Sequence, residues 1–263
     1  MKIYQIDAFT DQVFGGNPAA VVPLQAWLPD EILQSIALEN NLSETAFYVP
    51  KGNAFELRWF TPTTEVALCG HATLAAAHVL FEEEGYRQES IEFESRSSGM
   101  LRVTRTEKGI TLDFPVDELT EIDLQPNLLQ PFHTKPIQAF QGKTDIILVF
   151  ESADHIKKLG VDMSAIAAIE ARGVIVTAPG DDVDFVSRFF GPRVGVPEDP
   201  VTGSAHTSLT PLWNLKTQKT SFQALQLSPR GGKLHCQLKG DRVLITGNAV
   251  TYMKGIVMVN SEQ

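Results

Sequence analysis

The sequence predicts an α+β protein of many short strands and few helices, folded as two similar halves. Three observations carry this reading. Period-two alternation of apolar and polar residues recurs along most of the chain and is broken by Gly and Pro turns. Only a few segments have helical character, and two of them begin at a glycine, Gly70 and Gly203. The neighbourhoods of these two glycines match. Arg58-Trp59-Phe60-Thr61-Pro62 starts twelve residues before Gly70, and Arg188-Phe189-Phe190-Gly191-Pro192 starts fifteen before Gly203. A three-residue insertion in the second loop accounts for the difference. The shared order of strand, loop and glycine-started helix reads as an internal duplication.

The elements follow in order. Ile3, Gln5 and Asp7 interleave with Tyr4, Ile6 and Ala8, giving a strand that ends at Thr10-Asp11. Gly15-Gly16-Asn17-Pro18 makes a turn before an apolar strand, 19–24. Pro29-Asp30-Glu31 opens a helix with acidic residues near its positive end; Ile32, Leu33, Ile36 and Leu38 form its buried stripe, and Asn40-Asn41 stops it. Strands are expected at 45–49 and 55–60. Residues 70–83 are apolar on nearly every side, which describes a buried helix rather than a surface one. Strands follow near 90–95, 100–105 and 110–114. Residues 116–132 are rich in Asp, Gln and Pro without periodicity and read as a linker. Strands return at 136–141 and 145–150, helices at 153–159 and 162–172, and strands at 173–177 and 183–190. A helix is expected from Gly203 to Trp213, ended by Asn214, with Pro211 able to kink or shorten it. Four short strands fill 222–260. The expected lobes are 1–115, joined by a crossing last strand at 251–263, and 116–250.

Composition narrows the function. The chain has 263 residues, of which 43% are hydrophobic and 21% charged, so it is globular rather than disordered. Lys plus Arg is 22 and Asp plus Glu is 32, a net charge of −10. With no basic run to collect phosphates, nucleic acid is not an expected partner. Two cysteines, Cys69 and Cys236, are too few for a disulfide framework or a Cys-only zinc site. Asp7 interrupts the N-terminal apolar stretch too early for a signal peptide, and no window matches a membrane span. The expectation is a soluble cytoplasmic protein with no membrane partner.

Two helices that each open on Gly followed by small or polar residues suggest a purpose. The first turn of a helix offers unbonded N–H groups and the positive end of the macrodipole. Glycine there allows a ligand to approach closely. If the halves face each other, both helix starts point into one cleft suited to an anion, most simply a carboxylate. Either glycine alone is more readily a plain helix start or a close-packing point; the matched pair favours a site.

Asp7-Ala8-Phe9-Thr10, Gly16-Asn17-Pro18-Ala19-Ala20, Leu42-Ser43-Glu44-Thr45-Ala46-Phe47, Arg58-Trp59-Phe60-Thr61-Pro62, Cys69-Gly70-His71-Ala72-Thr73 and Glu198-Asp199-Pro200-Val201-Thr202-Gly203-Ser204-Ala205-His206 together resemble the phenazine-biosynthesis (PhzF-like) isomerase family. The blocks come in the family's order across roughly residues 3–250. The resemblance implies a diaminopimelate-epimerase-like fold: two pseudo-symmetric lobes, each a curled, mostly antiparallel sheet around a central helix, with the active site between them. It implies a homodimer. It also implies a cofactor-independent isomerase that shifts a proton on a small carboxylated, cyclic or conjugated metabolite.

Taken alone, Glu44 reads as a solvated loop carboxylate. The resemblance reverses this, because the family's catalytic glutamate falls in this motif; Glu44 is then the single acid/base. A carboxylate in a closed, apolar site has its pKa raised toward the working pH, as proton transfer at carbon requires. His71 is either a polar residue of the first helical turn or a neutral imidazole that bonds substrate and shuttles a proton. Asp199 would orient an amine or hydroxyl of the substrate, or hold His71, and Ser204 would donate to substrate. Gly70, Gly203, Thr202 and Asn17 complete the expected substrate-binding set. Asn17 also has a plain role in its turn, and Arg58 one as an ion-pair partner.

Competing chemistries leave weaker traces. Enzymes resembling diaminopimelate epimerase or proline racemase use two thiols, each just before a helix-opening glycine. Cys69 holds the first such place but Thr202 the second, and Cys236 lies far from either, so Cys69 reads as a small buried wall residue. His71 and His78 are two helical turns apart, too far to share a metal, so no metal site is expected. No G-x-S-x-G elbow, P-loop or dinucleotide fingerprint is present. The reading from another class is a non-catalytic binder of small carboxylates. Ser228-Pro229-Arg230-Gly231-Gly232 is read as a hairpin turn, with Arg230 near the cleft as the alternative.

Overall fold

The computed structural model describes residues 1–259. The chain divides into two units, one formed by Met1–Asp113 with the segment from Thr246 onward, the other by Phe114–Ile245. The expected crossing strand at 251–263 extends beyond this range: residues 260–263 lie outside the described residues.

In the first unit, β1 (Lys2–Ala8) pairs antiparallel with β2 (Asn17–Pro23), placing Ala8 opposite Asn17. The loop between them needs Gly16. Its φ is +61°, and a Cβ there would lie 2.1 Å from the Ala8 carbonyl oxygen. Helix α1 (Asp30–Asn40) ends as expected, with Asn41 in the left-handed region. Strand β3 (Glu44–Lys51) runs parallel to β2, with Glu44 opposite Ala19. Strand β4 (Ala54–Phe60) pairs antiparallel with β3, Arg58 opposite Phe47, and β5 (Glu65–Val66) pairs with the end of β4. Helix α2 (Gly70–His78) follows, and all nine of its residues are buried. A single helix over 70–83 was expected. Instead the α-helix stops at His78 and continues as a π turn, Val79–Glu83, in which the Glu84 N–H reaches back to the Val79 carbonyl. Strands β6 (Ser90–Ser95), β7 (Gly99–Thr106) and β8 (Gly109–Pro115) follow, β6 parallel to β4. Leu33, Ile36 and Ala37 of α1 pack with Ala20, Val22, Phe47, Val49 and Phe60. By strand alternation the other face of β2, with buried Ala19 and Val21, is the one left for α2.

The second unit repeats this plan. Residues 116–132 are not a linker: they contain β9 (Thr120–Ile122) and helix α3 (Pro126–Leu129). Leu128 and Phe132 sit in the core. These apolar residues are too sparse to show a period, and β9 forms by pairing with β10 (Gln138–Gln141), which no local pattern announces. Strand β11 (Asp145–Val149) follows, then helices α4 (Ala153–Lys157) and α5 (Met163–Ala167), both shorter than expected and capped by Ser152 and Asp162. Strand β12 (Gly173–Pro179) is parallel to β11, and β13 (Phe185–Gly191) is antiparallel to β12, Arg188 opposite Val176. Strand β14 (Val196–Asp199) pairs with β13. Helix α6 (Ala205–Thr217) precedes β15 (Ser221–Gln226), β16 (Gly232–Lys239) and β17 (Arg242–Gly247). Strand β15 is parallel to β13, as β6 is to β4. The last strand, β18 (Ala249–Ile256), returns to the first unit and pairs with β1.

Helix α6 differs from expectation at both ends. It starts at Ala205, because Gly203 and Ser204 form a tight turn in which the Ala205 and His206 N–H groups reach only three residues back. It runs past Asn214 to Thr217, where left-handed Gln218 closes it on the Asn214 carbonyl. The Asn214 amide turns outward to the Lys219 carbonyl instead of breaking the helix. Pro211 is tolerated because the Thr207 carbonyl, which loses its helical donor, accepts the Asp117 N–H at 3.2 Å. Ser228–Gly231 is a hairpin turn, with Gly231 at φ +65°. Among the described residues no helix is long and apolar enough to cross a membrane.

The duplication extends to individual side chains. Arg58 bonds Glu65 through Nε and Nη2, each at 2.7 Å, and its guanidinium lies 4.9 Å from the Phe60 ring centre. Arg188 bonds Glu198 in the same two-pronged way, at 2.7 and 2.9 Å, and lies 4.9 Å from Phe190. Each glutamate stands five residues before its helix-region glycine. The three-residue insertion therefore lies between arginine and glutamate, where Pro192–Val194 forms a 3₁₀ turn. Arg58 is structural: it is buried and also holds Asp30 at 2.8 Å.

Candidate active site

In the first unit a polar cluster gathers where β2, β3 and α2 begin. The start of β3 places Glu44 there, its side chain 16% exposed. Cys69, in extended conformation, is the N-cap of α2 but makes no side-chain cap. The first turn of α2 is therefore Gly70, His71 and Ala72, with no capping side chain to take its N–H groups. His71 Nε2 lies 3.2 Å from Glu44 Oε2, facing it without the alignment of a closed hydrogen bond. On the other edge of the ring, His71 Nδ1 lies 3.2 Å from Asn17 Nδ2 and 3.4 Å from Cys69 Sγ. Ser43 Oγ donates to Asn17 Oδ1 at 3.3 Å. Burial disfavours the imidazolium, so the His71 pKa is pushed down to about 3 and the ring is neutral at ordinary pH.

The Glu44, Cys69 and His71 ligand atoms all lie within 4.8 Å of one another, a donor set that could in principle hold a metal ion. The arrangement is a poor cage. Glu44 approaches Nε2 and Cys69 approaches Nδ1, whereas an ion takes one ring nitrogen only. The hydrogen-bond contacts of the ring are at Nδ1, while Nε2 stands open toward Glu44.

In the second unit the corresponding loop joins β14 to α6. Asp199 ends β14, and Thr202 Oγ donates to its Oδ2 at 2.5 Å. Gln226 spans the loop: its Oε1 accepts the Thr202 N–H at 2.9 Å and its Nε2 donates to the Asp199 carbonyl at 2.8 Å. Ser204 lies just before α6, and its hydroxyl oxygen accepts from Arg172 Nη2 at 3.2 Å. Arg172 is itself held by Asp145, through Nε at 2.9 Å and Nη2 at 2.5 Å. His206 faces inward; its Nδ1 bonds the Thr202 carbonyl, and burial pushes its pKa down to about 4.

The structure thus gathers Glu44, His71, Gly70 and Asn17 in one unit, and Asp199, Thr202, Gly203 and Ser204 in the other. Asn17 and Thr202, expected to bind substrate, use their side chains inside the protein. Asn17 is fully buried against His71, and the 6% exposed Thr202 is taken up by Asp199 and Gln226. Cys69 is buried, with its sulfur turned to the imidazole. Cys236 is sealed within β16, and burial pushes its thiol up to about 12, so it supplies no thiolate. Sequence reading passed over Ser43, Arg172, Asp145 and Gln226. The repeat contained a signal for one of them: Arg172-Gly173 opens β12 as Ser43-Glu44 opens β3.

Residues 6–255 match the family described as phenazine biosynthesis-like protein, PhzC-PhzF. An uncharacterized isomerase of Pseudomonas aeruginosa is 49% identical over 260 residues, covering 99% of each chain. A phenazine biosynthesis-like domain-containing protein of Mus musculus is 40% identical over 291 aligned residues, covering 97% of this chain and 98% of its own. A crystal structure of a PhzF-family protein from Enterococcus faecalis matches with a TM-score of 0.95 at 46% identity, covering 98% of this chain and 99% of its own. A proline racemase-like structure from Agrobacterium radiobacter shares the fold, with a TM-score of 0.66 at 10% identity. The chain therefore belongs to the phenazine biosynthesis-like (PhzC-PhzF) family and is, like its curated relatives, an isomerase.

Proposed function

We propose that the enzyme moves a proton between two carbons of a small carboxylated, cyclic or conjugated metabolite, with Glu44 as its single acid/base and without a cofactor. The observation that carries this is the Glu44 carboxylate, largely buried and 3.2 Å from the Nε2 of a neutral imidazole at an uncapped helix start. The ionised carboxylate removes a proton from one carbon. Charge spreads through the conjugated system toward the substrate carboxylate, and neutral Glu44 returns the proton to a second carbon. No atom is gained or lost, so no redox or group-transfer partner is needed. The N–H groups of the α2 first turn and the Ser204 hydroxyl would hold substrate oxygens. Asp199, held by Thr202, would orient a hydroxyl or amine. In this reading Asn17 and Thr202 support the site rather than touch the ligand.

The test is mass spectrometry in D₂O with a panel of small cyclic carboxylates. A one-dalton gain with wild type and none with Glu44→Gln supports the assignment. A gain that survives Glu44→Gln overturns it and points to His71 or Asp199. No gain, with ligand-dependent shifts in melting temperature, would favour a non-catalytic carboxylate binder. We also infer a homodimer in the cytoplasm, checked by sedimentation and by cell fractionation.

A further inference from the structure

We propose that Asn17, oriented by Ser43, is a positioning residue that fixes His71 in its Nε2–H tautomer, so that the imidazole faces Glu44 as a hydrogen-bond donor. The consequence for catalysis rests on the role proposed for Glu44; the tautomer itself rests on contacts alone.

A neutral imidazole has one N–H and one bare nitrogen, and its neighbours decide which is which. At Nδ1, two groups able to donate converge: the Asn17 amide nitrogen at 3.2 Å and the Cys69 thiol at 3.4 Å. With the amide nitrogen toward the ring, Ser43 donates to the amide oxygen at 3.3 Å, so both ends of the amide are bonded. The Asn17 side chain is fully buried and opens β2 at a residue paired with Ala8, so the backbone holds it in place. The opposite network, with Asn17 turned over and Nδ1 protonated, would set a bare Nε2 against the Glu44 carboxylate at 3.2 Å. Two acceptors facing each other at that distance repel, so that network requires Glu44 to carry a proton already.

Among the described residues Nε2 has no hydrogen-bond partner, and Glu44 Oε2 stands 3.2 Å away out of alignment. Its proton is therefore available to Glu44 and to a substrate oxygen beside it. A donor here favours the ionised carboxylate, the form that can remove a proton. It also prevents His71 from acting as a second base and diverting the proton. The orienting chain Ser43, Asn17, His71 thus ensures that one group in this unit accepts the proton.

The test is long-range ¹⁵N–¹H correlation NMR of the full chain near pH 7.5, with His71→Gln to identify the His71 signals. The expected spectrum shows Nε2 protonated and Nδ1 bare. A Nδ1–H pattern in the wild type overturns the proposal, whatever the variants do. In Asn17→Asp a carboxylate facing Nδ1 should switch His71 to Nδ1–H. With it, kcat should fall about a hundredfold, KM should change less than threefold, and the acid limb of the kcat/KM profile should move to higher pH. An unchanged tautomer in a folded Asn17→Asp protein would also overturn the proposal. If the wild type shows Nε2–H while Glu44→Gln remains active, the positioning chain stands and the acid/base assignment falls.

Discussion

The two units carry one scaffold and two chemistries. Each places an arginine–glutamate pair over a phenylalanine and five residues later a glycine at the entry to a helix. At matched register the contents diverge. Glu44 lies three residues before Phe47, which faces Arg58; Gly173 lies three residues before Val176, which faces Arg188. Where the first unit has its carboxylate, the second has no side chain and no room for one: a Cβ on Gly173 would meet the Phe189 ring at 2.3 Å. The next pair diverges as well. Ser43 reaches His71 through Asn17, whereas Arg172 bonds Ser204 directly and lies 5.4 Å from the Phe189 ring centre. Duplication preserved the parts that hold the backbone and freed the positions facing the helix starts. A carboxylate falls at this place in one unit and a hydroxyl backed by a guanidinium in the other, which suits the single acid/base proposed above.

Breaking the difference should have the largest effect. Glu44→Gln should lower solvent deuterium incorporation by about a thousandfold or more, with melting temperature nearly unchanged. If Glu44→Gln and a Ser204→Ala control lost activity equally, the assignment of the acid/base to one unit would fail.

Breaking the similarity comes next. Removing Arg58 leaves Glu65 and Asp30 without their cation and opens a buried void, so Arg58→Met should cost roughly 3 kcal/mol in urea unfolding. Arg188→Met should cost less, because its side chain is 14% exposed against 2% for Arg58. A larger loss at Arg188 would show that the two pairs are not equivalent supports.

His71 and His206 sharpen the comparison through pH. Both have folded pKa values below the ordinary 6.5, at about 3 and about 4. Between pH 6.5 and 4 the unfolded chain binds more protons at these sites, so stability falls as pH falls through that window. His206→Gln should flatten the fall in melting temperature there by removing a contribution of up to about 3 kcal/mol. An unchanged slope would mean that His206 is protonated in the folded state.

The smaller effects concern ligand and thiol. Arg172 can only donate, so the Ser204 oxygen accepts from it and the Ser204 hydroxyl proton remains for a substrate oxygen. Ser204→Ala should raise KM about tenfold and leave folding unaffected, corresponding to about 1.4 kcal/mol of lost binding. Cys69→Ser should change turnover less than threefold, since a hydroxyl can take the place of the thiol beside Nδ1. Loss of all activity in Cys69→Ser would indicate a thiol enzyme.

Much of this was legible in the chain. The Gly16-Asn17, Ser43-Glu44 and Gly70-His71 blocks mark the polar cluster of the first unit, the Asp199-to-Ser204 block marks that of the second, and the paired R-aromatic-Phe motifs mark the repeat. The misreadings share a cause. Residues 116–132 looked like a linker because β9 exists only through β10, and Asn214 looked like a stop because its outward bond to Lys219 was invisible. Asn17 turns to His71, and Thr202 to Asp199 and Gln226, directions that a polar side chain beside a motif does not reveal.

Short-range information lies openly in the sequence: alternation, a left-handed Asn41, a glycine where a carbonyl crowds, and a motif repeated with three residues added. These depend on neighbours along the chain. The partners of each polar group do not. Asn17 meets His71 across 54 residues, and Arg172 meets Ser204 across 32. Only strand register and the placement of the helix starts bring such pairs within 3.2 Å, and those contacts set which polar side chains are taken up inside each unit.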